Sequence, residues 1–321
     1  MRRTDDADRR FHAPARPWHA ATAVIAAASI CLFVAQPQAM AMVVRGGDGS
    51  GNTTTPVDDP GWANVGLCGS GTAVYLGNGW VITASHVGAN SVTFGSTTYT
   101  VASGTYQRLH DPSSSSTLAD LCVFQLSTIP TGLTSVTIGD SSPVLGSMVT
   151  AIGYGRNRAT SATSWYVDID TNPYTWSETP FSGYDAQAGG FKTTSTRTKR
   201  WGENAISGSE TLSGSYGTTR MLKTTFDASG SANEFQGIAG DSGGALFWKN
   251  GSDWELAGIV LSVGTFSGQP GSTAVYGNVT YMADLALYRD QILAITAVPE
   301  PATLTLLATA AAAILLRRHR R

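Results

Sequence analysis

Residues 237–247 read GIAGDSGGALF. Asp241 and Ser242 stand among glycines, just ahead of an apolar run. The plain reading is a turn, because Gly accepts φ > 0 and Asp and Ser bond back to nearby backbone. The sharper reading is a reactive hydroxyl that the glycines leave open to a substrate. That reading needs a base, an orienting acid and a scaffold from the rest of the chain.

The scaffold shows first as short β-type runs broken by turn signals. They include GTAVYL-GN-GWVITAS, SVTFGSTTYTVAS, LCVFQLS, SVTIGD, GSMVTAIGYG, TRMLKTTF, GALFWKN followed by GSDWELAGIVLSV, and TAVYGNVTYM. LGNGW and WKNGSDW place Asn-Gly between apolar runs, a strong hairpin signal. Helical patterning is confined to YMADLALYRDQILAI (281–295), with Leu285, Tyr288, Ile292 and Ile295 at helical spacing. Many short strands and one terminal helix predict an all-β barrel or sandwich fold, large enough for two small barrels. Residues 156–219 are rich in Ser, Thr and Gly with interspersed aromatics, and read as long surface loops or ribbons.

The ends have a different composition. An apolar run, AATAVIAAASICLFVA (20–35), follows an Arg-containing start and precedes the small residues AMA (39–41). It is shorter than the ~20 residues of a membrane span, so residues 1–41 read as a cleavable signal peptide. Residues 42–61 are Gly-, Asp-, Thr- and Pro-rich and read as a flexible lead-in. Residues 62–297 form the expected domain. At the other end, VPEPATLTLLATAAAAILLRRHRR (298–321) joins a Pro-Glu-Pro triplet, a short hydrophobic helix and a basic tail. This unit resembles the PEP-CTERM sorting signal of Gram-negative bacteria. The resemblance implies export to the cell envelope or surface, with signal peptidase and an exosortase-type enzyme as processing partners and membrane contact only through the terminal segments.

Without its ends the chain has 12 Lys+Arg against 19 Asp+Glu, a formal net charge of −7. Phosphate binding needs clustered cations, so nucleic acid is excluded as a partner. Two histidines (His86, His110) and two cysteines (Cys68, Cys122) remain, with no metal-ligand spacing, so no metal or other cofactor is expected.

Three segments then converge on the opening question. TASHV (83–87) ends a strand and carries His86. DLCVFQL (120–126) brings Asp120 into an apolar strand. GDSGGA (240–245) carries Ser242. The order His, Asp, Ser and the motifs resemble the trypsin-like, chymotrypsin-fold serine peptidases across roughly residues 62–295. AIGYGR and GIVLSVG followed by AVYGNV agree with that family. The resemblance implies two packed antiparallel six-stranded β-barrels with a short C-terminal helix, and peptide-bond hydrolysis of a protein or peptide substrate. It assigns Ser242 as nucleophile, His86 as general base and acid, and Asp120 as orienter. The backbone N–H groups of Gly240 and Ser242 would form the oxyanion hole. These residue types suit the task. Serine needs a base to take its proton, histidine titrates near neutrality, and a buried carboxylate fixes the imidazole tautomer. An α/β-hydrolase would run Ser, Asp, His along the chain, the reverse of what is found. A catalytically silent binding or matrix protein of the same fold is the alternative.

The chain also departs from the family. Val87 and Ile238 stand where cysteines usually do, so two common disulfides are absent. Cys68 and Cys122 either pair with each other or remain buried thiols. By the resemblance, Asp241 is the acceptor of an activating salt bridge from a freed N-terminal amine. Gln236, six residues before the nucleophile, would floor the primary substrate pocket. Ser262 to Gly264 and Ala274 would wall it. Glu234 is the nearby carboxylate that could enter the pocket instead. A neutral floor implies rejection of Arg and Lys.

Overall fold

A computed structural model describes residues 42–297. The expectations for the signal peptide and the sorting segment fall outside these residues. Among the described residues, no helix is long and apolar enough to cross a membrane.

The chain begins with β1 (Val43–Val44). A short 3₁₀ turn at Trp62–Asn64 leads into β2 (Val65–Cys68), β3 (Gly71–Gly77) and β4 (Trp80–Ala84). Then follow β5 (Val92–Phe94), β6 (Thr97–Tyr99), β7 (Gln107–His110) and β8 (Leu118–Gln125). β2 to β8 form one seven-stranded sheet in the order β6-β5-β2-β3-β4-β8-β7. The LGNGW hairpin is present between β3 and β4, where Asn78 (φ 51°) and Gly79 (φ 83°) adopt the positive angles that such a turn requires.

The second half contains β9 (Met148–Arg158), β10 (Thr163–Asp168), β11 (Thr175–Ser177) and β12 (Ala186–Gly214). It continues with β13 (Gly217–Thr225), β14 (Phe235–Gln236), β15 (Ala245–Asn250) and β16 (Asp253–Gly264). It ends with β17 (Thr273–Val275), β18 (Val279–Asp284) and the helix α1 (Leu285–Thr296). Apart from β14, which pairs with β1, they form one nine-stranded sheet. Within it the pairings run β9-β12-β13-β18-β16-β15 and return to β9, a closed ring.

The architecture is therefore mostly β with one C-terminal helix, as expected, and its strands gather chiefly into a seven-stranded and a nine-stranded sheet. The first sheet has seven strands, and the chain just after β6 returns to the end of β8, where Val101 bridges Leu126, Ala102 N–H donates to Gln125 O and Ser127 N–H to Thr100 O. The second extends past its ring through β10, β11 and β17. SVTIGD is not a strand, since only Ile138 forms a bridge, to Leu256. Helix α1 starts at Leu285, because Tyr281–Asp284 are drawn into pairing with β13 and β16. Its buried face is Leu285, Tyr288 and Ile292.

The main core takes residues from both halves and from α1, including Val65, Ile82, Leu121, Ile152, Phe247, Ile259, Leu285 and Tyr288. Burying side chains of this size gives about 1.5–3 kcal/mol each. Both cysteines are buried free thiols rather than a disulfide. Burial pushes the Cys68 thiol up to about 11 and raises Cys122 as well. The lead-in is tied down at its start. Val43 and Val44 pair with Gln236 and Phe235, and the Arg158 guanidinium donates to the carbonyls of Val44, Arg45, Gly46 and Gly47.

The Ser/Thr/Gly-rich stretch forms ribbons, and β12 alone is 29 residues long. Lys199 fastens this ribbon to the first half. Its Nζ donates to the Trp62 carbonyl and to the Val65 carbonyl at 2.7 Å, and lies 4.3 Å from the centre of the Trp62 ring. Burial pushes its pKa down to about 7, against a weaker opposing pull from Asp59. The two carbonyls suit the two N–H groups of a neutral amine. An unfolded Lys titrates near pH 10.4. Between pH 7 and about 10 the unfolded chain therefore binds a proton that the folded chain does not, and stability rises with pH through that window. Lys199→Met should flatten this slope in urea-unfolding series from pH 6.5 to 10. An identical slope in the variant would contradict the assignment.

Candidate active site

His86 lies in a tight turn immediately after β4, closed by Val87 and Gly88 N–H groups donating to the Ala84 carbonyl. Asp120 lies on β8, which pairs with β4 so that Ala84 faces Leu121. This register sets the two side chains together. Asp120 Oδ2 is 2.7 Å from His86 Nδ1, and Oδ1 accepts the His86 main-chain N–H at 2.9 Å. Both carboxylate oxygens are thus spent on one residue. A carboxylate facing Nδ1 demands a proton there and leaves Nε2 as the basic nitrogen. The pair is largely shielded, with side chains 15% and 16% exposed.

Ser242 is reached from the other half of the chain. Its loop is pinned on all sides. The Ser242 carbonyl accepts Thr72 N–H at 2.8 Å, Gly243 N–H donates to Val260 O at 2.7 Å, and Gly244 N–H to Asp241 O at 2.6 Å. Two glycines are obligatory. At Gly243 (φ +85°) a Cβ would lie 1.9 Å from the Thr72 carbonyl oxygen, and at Gly240 (φ +110°) 2.6 Å from that of Tyr154. Among the described residues, the N–H groups of Gly240 and Ser242 have no hydrogen-bond partner. Ser242 is 1% exposed, and its Oγ has no hydrogen bond, so the contact to His86 is not closed. Contacts of this kind are often long before substrate binds.

Asp241 is fully buried. Its Oδ2 accepts Ile238 N–H at 3.2 Å, while Oδ1 is without a partner. Burial raises its pKa well above the ordinary carboxylate range, against the pull of the Ile238 N–H and of Arg197 and Arg200. A Cβ on Gly153 would strike Asp241 Oδ1 and approach the Met42 methyl, so this carboxyl lies beside the start of the described chain.

Gln236 is 2% exposed. Its Nε2 donates to Gly237 O and Val279 O, and its Oε1 is unpartnered. Gly264 pairs with Val279, and Ser262 with Tyr281, which brings the pocket-wall candidates alongside. Ala274 is buried in a cluster with Val43, Phe191, Phe226 and Ile238. Glu234 does not take the Gln236 position. Its Oε1 accepts Asp227 N–H at 2.5 Å, and Oε2 occupies the space that a Gly230 Cβ would need.

Several neighbours escaped the sequence reading. Thr219 Oγ1 accepts Asp120 N–H at 2.9 Å, and the Tyr216 ring lies 5.5 Å from the His86 ring. Both belong to the β12–β13 hairpin, whose tip Arg108 holds through the Tyr216 carbonyl. Thr72 Oγ1 donates to Gly240 O at 2.7 Å. His110 has its main chain bonded to Gln291 on α1, and Asp111 pairs with Arg220 at 3.5 Å. A cavity of about 310 Å³, lined by Asp59, Ala63, Asn64, Thr134 and Trp254 among others, includes none of the candidate residues. Asp168, Asp170 and Asp185 bring carboxylate oxygens within 4.8 Å of one another, but where the end of β10 meets the start of β12.

The trypsin-like peptidase domain model matches residues 69–259, and the PEP-CTERM protein-sorting motif matches residues 297–321. No curated protein matches. Among solved structures, an inactive Ser-to-Ala form of Rv3671c from M. tuberculosis H37Rv is similar at 16% identity and TM-score 0.43, over 80% of this chain and 99% of that one. Neuropsin, a serine protease expressed in the limbic system of mouse brain, is similar at 18% identity and TM-score 0.43, over 76% and 97%. The HtrA-type protease AlgW with decapeptide is similar at 18% and TM-score 0.37, over 70% and 51%. The chain belongs to the trypsin-like peptidase domain family and carries a PEP-CTERM sorting motif at its C-terminal end.

Proposed function

We propose that this protein is an exported serine endopeptidase that cleaves peptide bonds through Ser242, His86 and Asp120 by way of an acyl-enzyme. The observation that carries this reading is the commitment of both Asp120 oxygens to His86, with the glycine-lined Ser242 loop supplied from the other half of the chain. In the proposed reaction His86 Nε2 takes the Ser242 proton as Oγ attacks the substrate carbonyl. The Gly240 and Ser242 N–H groups stabilise the resulting oxyanion. The imidazolium then returns its proton to the departing amine, and water repeats the cycle on the ester. Asp241 acts as the buried acceptor of an ion pair that anchors the oxyanion loop. The PEP-CTERM motif supports processing by an exosortase-type enzyme at the cell envelope.

Labelling of the purified protein with a fluorophosphonate, together with hydrolysis of a peptide library, tests this. Stoichiometric labelling with peptide turnover is expected. A folded protein that neither labels nor cleaves is instead a silent binding module, the reading that the open Ser242–His86 contact favours.

The library also reports specificity. The neutral Gln236 leaves a buried Arg or Lys side chain without a charge partner, and such burial is strongly unfavourable. Cleavage is expected after neutral residues, and Gln236→Asp should improve Lys and Arg substrates by about 10-fold or more. Dominant cleavage after Arg or Lys by the unaltered enzyme would overturn this assignment.

A further inference from the structure

The β12–β9 ribbon is irregular at one point. Thr193 faces Arg158 and Arg197 faces Arg156, so three residues of β12 oppose one of β9. Bulges of this kind re-aim side chains. Here the bulge aims Arg197 at the Ser242 loop. Its Nε donates to Tyr154 O at 2.9 Å, Nη1 to Gly69 O at 3.4 Å, and Nη2 to Gly71 O at 3.1 Å and Gly240 O at 3.4 Å. A guanidinium is a planar, permanently charged fork, which suits it to holding several carbonyls in fixed relation.

The register pair Arg156 and Arg197 therefore grips both peptides around Gly240. The Arg156 main-chain N–H donates to Ala239 O at 3.1 Å, and the Arg197 side chain takes Gly240 O. In a trans peptide the N–H points opposite to the carbonyl. Fixing Ala239 O toward Arg156 thus turns the Gly240 N–H away from β9. Arg197, together with the shorter Thr72 Oγ1 bond to Gly240 O at 2.7 Å, blocks rotation of the next peptide. It also places positive charge near the buried Asp241, whose Oδ1 is unpartnered.

We infer that Arg197 is a positioning residue that sets the oxyanion loop, an inference that rests on the serine-endopeptidase reading above. It touches no reacting atom and acts by holding the Gly240–Asp241 peptide, which links the two proposed oxyanion donors, Gly240 and Ser242. Loss of a single oxyanion donor costs about 10²–10³ in rate. Arg197→Met should therefore lower kcat about 10- to 100-fold with KM changed less than about 3-fold. Arg197→Lys, which keeps the charge but not the fork, should fall in between and melt close to wild type. Arg197→Ala should regain part of its kcat with added guanidinium ion, which restoration of stability alone would not produce.

Fluorophosphonate labelling rates separate the two levels of the argument. A wild type that does not label refutes the serine-enzyme reading. A wild type that labels, with Arg197→Met and Arg197→Lys labelling and turning over within about 3-fold of it, overturns the role of Arg197 alone. A change confined to KM or to the melting temperature overturns it too.

Discussion

Ser242→Ala should reduce peptide hydrolysis by at least about 10⁴-fold and abolish fluorophosphonate labelling, with an unchanged melting curve. The rate effect follows from removing the only atom proposed to form the acyl bond. The neutral effect on folding follows from the surroundings. Ser242 is held by its main chain, through its carbonyl to Thr72 and through the neighbouring Gly243 and Gly244 amides. Its Oγ has no hydrogen bond within the protein, so its removal orphans no partner. Kinetics on a good peptide from the library, a thermal melt and a labelling gel check the three parts. Retained labelling in the variant would place the nucleophile elsewhere.

Asp120→Asn should be almost as damaging, about 10⁴-fold in kcat, although it changes hardly any volume. The amide can keep one bond by accepting the His86 main-chain N–H on its oxygen. Its NH₂ then faces Nδ1, which must become the acceptor. The ring proton moves to Nε2, and the nitrogen proposed to receive the Ser242 proton is already protonated. The effect should appear in kcat with KM little altered. It should exceed the effect of Thr219→Val, which removes only the hydroxyl that supports Asp120 N–H. An asparagine variant with more than a tenth of wild-type kcat would show that Asp120 does not set the tautomer.

The ease of reading this chain followed the range of the interactions. The two hairpins were legible from their turn residues, Asn78-Gly79 in the first, while in the second the turn falls one residue later, on Gly251-Ser252, with Asn250 paired to Asp253. The buried stripe of α1 was legible because Leu285, Tyr288 and Ile292 repeat at helical spacing. The His86–Asp120 contact was legible through the motifs that flank the two residues. The strand count was not. Gln107–His110 is short and polar, and it becomes a strand only by lying beside β8. The length of β12 was hidden because its register with β9, β10, β13 and β17 is tertiary, and its own residues show no sustained alternation. Arg197 sits in the Ser/Thr/Gly-rich stretch 156–219, which reads as long surface loops or ribbons. Only the bulge reveals that it points inward. Cys68 and Cys122 left two outcomes open, and packing in separate strands of one sheet decided for free thiols.

The hairpin joining β12 to β13 has a mechanical meaning. His86 and Asp120 are carried by the first half and Ser242 by the second, so any sliding between the halves shortens or lengthens the path of the proposed proton transfer. The hairpin belongs to the second half, yet its tip is latched onto the first through the Arg108 side chain, the Asp120 N–H on Thr219, and the Tyr216 ring beside His86. It works as a crossbar. Shear between the halves must break these contacts before it can move the imidazole relative to the serine.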